Sequence, residues 1–406
     1  EGIAFSNEPY DGPFEPSEVS PFIDRIMTEF WYTPTGTKLF VGNHKTFNRL
    51  KGPGGKRHNI IEAEAFTGAP ENCEWTEMPA TLKITCDEPW LDGVNRFILH
   101  TCPSQPWGDD VKPGVTMGRW GTHFGRNQTW AECGKPFFDY LARCQSLLQW
   151  GEPCGECMEN KYEFRIGRTD GNRTIYFVVA KCSFFRESMR PLRWYDPVSG
   201  RIGTDPGGMR KGECGFFDDG PSPSERVFWC DNSRELTHFT PALGDWTESS
   251  DPSVKYFSGT RTYRARFDLP GAVAKAELRF SAMADQIVVV RLNGRPAGTA
   301  WCAPYAVELP VEALKEKGNE LEIDVTNSWR NRLIGDEQEP ADCEFEDAPY
   351  GSGQFLVRYP DWFKDGIGAR PSKGRKCFTT WNYFTKDSKL TPSGLITPPV
   401  LMWKEK

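Results

Sequence analysis

Ile23-Asp-Arg-Ile-Met-Thr28, His58-Asn-Ile-Ile-Glu-Ala-Glu-Ala65 and Val94-Asn-Arg-Phe-Ile-Leu-His-Thr101 are three short, mostly apolar runs whose spacing decides the fold of the first third of the chain. Each has the length and character of a buried strand. If each strand ends at its last apolar-flanked polar residue, those residues are Glu29, Glu64 and His100, 35 and then 36 positions apart. A strand, crossover and parallel strand occupy roughly 30 or more residues, so the spacing predicts βαβ units. Met78-Pro-Ala-Thr-Leu-Lys-Ile-Thr85 supplies a crossover helix with Pro79 in its first turn. Further on, Phe137, Tyr140, Leu141, Cys144, Leu147 and Leu148 recur at intervals of three and four, which predicts a helix from Pro136 to Trp150.

A polar group closing each strand, repeated at βα spacing, fits the C-terminal part of a (β/α)8 barrel, whose active site lies at the carboxyl ends of its strands. Beyond Gly151 the pattern turns to β structure. Tyr162–Arg168, Arg173–Lys181 and Arg226–Trp229 are expected strands. A second β module begins at Gly244-Asp-Trp246. In it Tyr263, Ala265 and Phe267 alternate with Arg264 and Arg266, and Leu321, Ile323 and Val325 alternate with Glu322 and Asp324. Such alternation marks half-buried antiparallel strands, and Asn293-Gly294 is a hairpin turn signal. The expected architecture is therefore multidomain. An irregular lead-in (1–21) precedes the barrel part (22–151), a β-rich linking domain (152–243), a β-sandwich (244–337) and a C-terminal wrapping segment (338–406). The stretch from Trp246 to Asp336 is expected to fold by itself.

Composition narrows the function. Lys+Arg 49 against Asp+Glu 56 gives a net charge of −7, which does not solicit nucleic acid. Apolar runs such as Tyr176–Ala180 and Ile287–Val290 fall far short of the 18 or so residues a membrane helix needs. The 27 Phe, 15 Trp and 12 Tyr suit a β-rich protein with sugar-stacking surfaces. Thirteen cysteines, an odd number, assign no disulfide pairing, and Cys154-Gly-Glu-Cys157 lacks the second pair a zinc site needs. Asp87-Glu88 and Asp109-Asp110 are either cation ligands or solvated charged pairs, the second being the simpler account.

Several motifs together resemble glycoside hydrolase family 106, the α-L-rhamnosidases. Glu62-Ala-Glu-Ala-Phe-Thr67, Gly93-Val-Asn-Arg-Phe-Ile-Leu-His100, Gln105-Pro-Trp107, Pro113-Gly-Val-Thr-Met-Gly118, Thr129-Trp130 and Tyr140-Leu-Ala-Arg-Cys-Gln-Ser-Leu-Leu148 are similar to the later part of that family's catalytic barrel. Val290-Arg-Leu-Asn-Gly294, Gly298-Thr-Ala-Trp301 and Val325-Thr-Asn-Ser-Trp-Arg-Asn-Arg-Leu-Ile-Gly-Asp336 resemble its galactose-binding-like sandwich. The resemblance implies hydrolysis of terminal α-L-rhamnosyl linkages in plant-type glycans, with inversion. It also implies a calcium ion whose ligands the sequence does not identify, and a periplasmic or secreted location. Family members are longer, so the chain is expected to be a C-terminal portion, inactive alone, with one catalytic carboxylate on the missing part. The alternatives are a non-catalytic carbohydrate-binding protein and a β-galactosidase-like hydrolase.

Glycoside hydrolysis needs one carboxylic acid to protonate the leaving oxygen and a second carboxylate to activate water or attack the sugar. Glu64, Glu29 and Glu62 are the catalytic candidates. Glu62 and Glu64 are two apart and share a strand face; Glu64, nearer the carboxyl end, is favoured. Either could instead be the buried partner of Arg25 or Arg96. His100 is a candidate for a hydrogen bond to a sugar hydroxyl, with a satisfied core histidine as its alternative. Trp107, Trp120 and Trp130 are stacking surfaces or core aromatics. Asn95 and His123 are further candidate sugar contacts.

Overall fold

The computed structural model describes residues 2–9, 12–13, 15–32, 40–41, 50–56, 58–91, 93–153, 158–160, 163–169, 174–180, 194–196, 201–203, 232–281, 283, 285–349, 353–365 and 370–406. The chain divides into two compact units. One holds residues 1–67, 82–99 and 136–228, and the other holds 68–81, 100–135 and 229–406. No helix among the described residues is long and apolar enough to cross a membrane.

The first unit is built on a parallel sheet. Strands β1 (Arg25–Trp31), β2 (Ile61–Thr67) and β3 (Arg96–Leu99) pair in that order, with Ser6–Asn7 parallel on the outer edge of β1 and Phe40–Val41 antiparallel to β1. Helix α1 (Pro79–Leu91) joins β2 to β3, making the expected βαβ crossover. Helix α2 (Lys135–Leu148) buries Phe137, Tyr140, Leu141, Cys144 and Leu148, the stripe its spacing predicts.

The strands start two to three residues later than their apolar runs do. Ser20–Phe22 forms a 3-10 turn ahead of β1, and the sheet then continues through the aromatic pair Phe30-Trp31. Asn95 stands outside β3 because its side chain is committed to the neighbouring strand. Its Oδ1 accepts from the Ile61 N–H at 2.9 Å and its Nδ2 donates to the Asn59 carbonyl at 2.7 Å.

One face of the sheet carries the core. Phe30, Phe66 and Phe97 meet edge to face at 5.0, 5.0 and 5.7 Å; Phe137 of α2 packs on Phe66, and Trp90 of α1 stacks on Phe97 at 5.4 Å. Each such buried ring contributes roughly 1.5–3 kcal/mol. Behind it lies a buried polar triad. Lys83 Nζ donates to Asp87 Oδ2 at 2.7 Å, and the Tyr140 hydroxyl donates to Asp87 Oδ1 at 3.0 Å. Asp87 is therefore neither a cation ligand nor a solvated charge, because a buried lysine four residues earlier neutralises it. Asp109 does behave as a surface charge, pairing with Lys112 at 3.2 Å. The described strands form an open sheet with helices on one face; closure into a barrel is not seen among them.

Strands β4 (Glu163–Thr169) and β5 (Thr174–Ala180) form an antiparallel hairpin within a residue of the expected limits. The expected strand Arg226–Trp229 and the Cys154–Cys157 pair lie outside the described residues.

The second unit contains a β-sandwich. One sheet pairs β6 (Asn232–Glu235), β13 (Val400–Glu405), β8 (Val273–Arg279) and β11 (Ala306–Leu309); the other pairs β7 (Thr260–Phe267), β12 (Asn319–Asn327), β9 (Gln286–Leu292) and β10 (Arg295–Ala300). Tyr263, Ala265 and Phe267 point into a shared core with Leu278, Val290 and Trp403. Arg264 and Arg266 face outward and pair across the ladder with Glu322 at 2.8 Å and Glu320 at 2.6 Å. Asn293 and Gly294 turn β9 into β10 with φ of +52° and +77°, as an Asn-Gly hairpin requires. The sandwich extends beyond the expected 244–337. Two of the four strands in one sheet come from 232–235 and 400–405, so the C-terminal segment supplies a central strand of that sheet. The Pro-rich run ahead of Val400 hides this strand from a periodicity reading.

Candidate active site

In the first unit the carboxylates occupy the sheet face opposite the helices. Parallel register puts Met27, Glu62 and Arg96 in one row and Glu29, Glu64 and Ile98 in the next. Because side chains alternate, Glu29 and Glu64 share a face on strands about 4.8 Å apart. The 35-residue spacing thus does bring these two acids side by side. The 36-residue step does not carry the row to His100. The position opposite Glu64 on β3 is Ile98, an apolar side chain 47% exposed.

Glu62 is the most constrained of the three acids. Its Oε1 accepts from Arg96 at 3.1 Å and lies 3.5 Å from Arg25, its Oε2 accepts from the Ser6 hydroxyl at 2.9 Å, and it is 2% exposed. That is the ion-paired alternative, with both arginines engaged by one carboxylate. Glu62→Ala is expected to destabilise the fold by about 2 kcal/mol, less than a fully buried pair costs because both guanidinium groups reach solvent. A thermal melt measures this; an unchanged melting temperature would show the pair to be idle.

Glu64 is half-buried and accepts a hydrogen bond from the Thr67 hydroxyl at 2.5 Å. Glu29 accepts one from the Trp31 indole N–H at 2.5 Å. The contact to Thr67 depends on an irregularity. Phe66 adopts φ +68°, and the β1–β2 register shifts between Phe30 and Trp31. Without that bulge Phe66 would share the carboxylate face; with it, Phe66 joins the aromatic core and Thr67 turns back toward Glu64.

Asn95 is buried and holds the framework through Ile61, Asn59 and the Leu148 carbonyl, so it presents no group to a sugar.

In the second unit, the segments that follow β2 and β3 in the chain form their own cluster. Gly68 and Gly121 exchange N–H to carbonyl bonds at 2.5 and 3.1 Å, and a Cβ on Gly68 would meet the Cys73 Cβ at 2.3 Å, so glycine is required there. His100 is half-buried, with Nδ1 3.3 Å from the Gly121 carbonyl oxygen and Nε2 3.0 Å from the Met117 sulfur. His123 is buried and stacks on Trp75 at 3.8 Å. Its Nδ1 and its backbone N–H both lie 3.3 Å from Glu77 Oε1. Trp130 is 1% exposed and donates its indole N–H to the Glu77 carbonyl at 2.8 Å. Both His123 and Trp130 are packed core groups, contrary to a sugar-facing role, since burial leaves no ring face for a ligand. Trp120 has the Arg119 guanidinium 4.2 Å above its ring. Trp107 is half-buried.

Glu77, which organises His123 and Trp130, escaped the sequence analysis. The one available signal was a lone acid directly before the Met78-Pro79 helix start. Nearby, burial pushes the Glu74 carboxyl up even though Arg330 lies 2.9 Å away. No group of three or more His, Cys, Asp or Glu among the described residues is placed to hold a metal ion.

Residues 23–158 match glycoside hydrolase family 106, alpha-L-rhamnosidase. A protein of Formosa agariphila named as a beta-glucuronidase is 42% identical over 151 residues, covering 37% of this chain and 12% of that protein. The structure of a rhamnosidase from Novosphingobium sp. PP1Y superposes on 99% of this chain with a TM-score of 0.68 and 18% identity, a likeness of fold. The chain spans 54% of that structure, so it corresponds to part of each relative. Residues 23–158 are thus similar in sequence to glycoside hydrolase family 106, and nearly the whole chain shares its fold with the Novosphingobium structure.

Proposed function

We propose that the chain is the C-terminal part of a glycoside hydrolase that releases terminal α-L-rhamnosyl groups from plant-type glycans with inversion, and that it acts outside the cytoplasm. The observation that carries this reading is the pairing of Glu29 and Glu64 across two parallel strands within the segment matching the family. In this reading Glu64 takes the proton from the attacking water, and Glu29 beside it orients that water and adds negative potential at the developing oxocarbenium ion. The acid that protonates the leaving oxygen is supplied by the part of the protein this chain does not include. Glu62 fixes the strand on which Glu64 stands. The described residues present no cluster fit to hold the calcium ion that the resemblance implies, and no step is routed through it. The sandwich is of galactose-binding-like type and serves as scaffold.

The name of the Formosa relative favours a second reading, a hydrolase of β-glucuronosides. Nitrophenyl glycosides separate the two. The complete protein is expected to release nitrophenol from the α-L-rhamnoside and not from the β-D-glucuronide or β-D-galactoside, while the 406-residue chain alone releases none. Release from the glucuronide alone would replace the rhamnosidase reading.

A further inference from the structure

The C-terminal segment of the second unit brings an aromatic group to Trp107. The rings of Trp107 and Tyr359 lie 5.9 Å apart at 44°, Trp107 and Phe363 meet edge to face at 4.8 Å, and Tyr359 and Phe363 are 5.2 Å apart at 37°. Beneath them is a small buried core of Val111, Trp362 and Phe378. Trp362 is pinned there by donating its indole N–H to the Asp342 carbonyl at 2.8 Å, with the Arg370 guanidinium 4.7 Å over its ring. The Trp107 backbone is held as well, since Arg126 donates to the Gln105 and Trp107 carbonyls at 2.7 and 2.6 Å.

The top of this cluster differs from its base. Tyr359 is 39% exposed, and Val357, two positions earlier in the chain, is exposed too. Unlike Trp362, neither the Trp107 indole N–H nor the Tyr359 hydroxyl has a hydrogen-bond partner among the described residues, and neither is a buried unsatisfied group. The result is a fixed pair of tilted aromatic faces with a donor at the edge of one and a donor and acceptor at the edge of the other. Such a surface has two complementary parts for one ligand class. The apolar C–H face of a pyranose covers an aromatic ring, and its equatorial hydroxyls reach the polar ring edges. An apolar protein partner would leave those edges unsatisfied.

We infer that Trp107 and Tyr359 form a stacking subsite for a pyranose ring of the glycan. This rests on the glycan-hydrolase reading and extends it to a residue more than 200 positions beyond the family-matched segment. The test is a direct titration of the 406-residue chain with a pectin-derived, rhamnose-containing hexasaccharide, followed by tryptophan fluorescence and calorimetry. Tyr359→Ala and Trp107→Ala are each expected to weaken binding roughly three- to tenfold, the range that one aromatic contact supplies. Tyr359→Phe, which keeps the ring, is expected to stay within about twofold of the parent on the same grounds. Tyr359 lies at the exposed edge of the cluster, so its alanine variant is expected to fold even with a lowered melting temperature, and the test survives if Trp107→Ala does not fold. Unchanged affinity in Tyr359→Ala, or no binding by the parent chain, overturns the subsite. Because the readout is binding, a failure of Glu64 to prove catalytic would leave this result standing, and the two readings fail separately.

Discussion

Glu64→Gln in the complete protein is expected to lower the turnover of an α-L-rhamnoside by about 10² to 10⁴, the usual contribution of a positioned general base. The substitution keeps the size of the side chain and can still accept from the Thr67 hydroxyl, so the local packing survives. What it removes is the carboxylate that takes the proton. Turnover should fall with little change in KM, because the lost interaction belongs to the transition state. The companion Glu62→Ala should show the opposite signature, a lower melting temperature with activity retained by the folded fraction, since Glu62 is held by Arg25 and Arg96. If Glu64→Gln keeps activity within a few-fold of the parent, the base assignment moves to Glu29, the acid paired with it across the strands.

Ending the chain at Pro399 is expected to abolish folding of the sandwich. The lost strand β13 lies between β6 and β8, so its removal unpairs two ladders at once. It also removes Leu401, Met402 and Trp403 from the core. At roughly 1.5–3 kcal/mol for each of these three buried side chains, the loss is about 5–9 kcal/mol before any hydrogen bond is counted. A domain's whole stability is about 5–15 kcal/mol, so little or none remains. Circular dichroism and limited proteolysis would show this directly. A truncated chain that melts cooperatively within a few degrees of the parent would refute it. The same reasoning reverses the sequence-based expectation that Trp246–Asp336 folds alone, because that piece contains neither β6 nor β13.

The sequence by itself determined the elements whose signal is local. Alternation in Tyr263–Phe267 and Leu321–Val325, the Asn293-Gly294 turn and the stripe on α2 each lie within a few residues of one another, and secondary structure follows from such short-range patterns. The 35-residue spacing also placed Glu29 beside Glu64, because two parallel strands joined by a crossover repeat at a nearly fixed chain length. The tertiary structure decided everything that depends on which distant group arrives. Glu62 and Glu64 are indistinguishable as sequence; Arg25, Arg96 and Ser6 make one an anchor, while a bulge at Phe66 brings Thr67 to the other. His123 and Trp130 looked as available as Trp107 until packing around Glu77 buried the first two. Val400–Glu405 became a central strand only because a sheet formed more than 100 residues earlier lacked a neighbour there. A side chain's role is fixed by its burial and its partners, and those are set by chain closure over long separations, which no local pattern encodes.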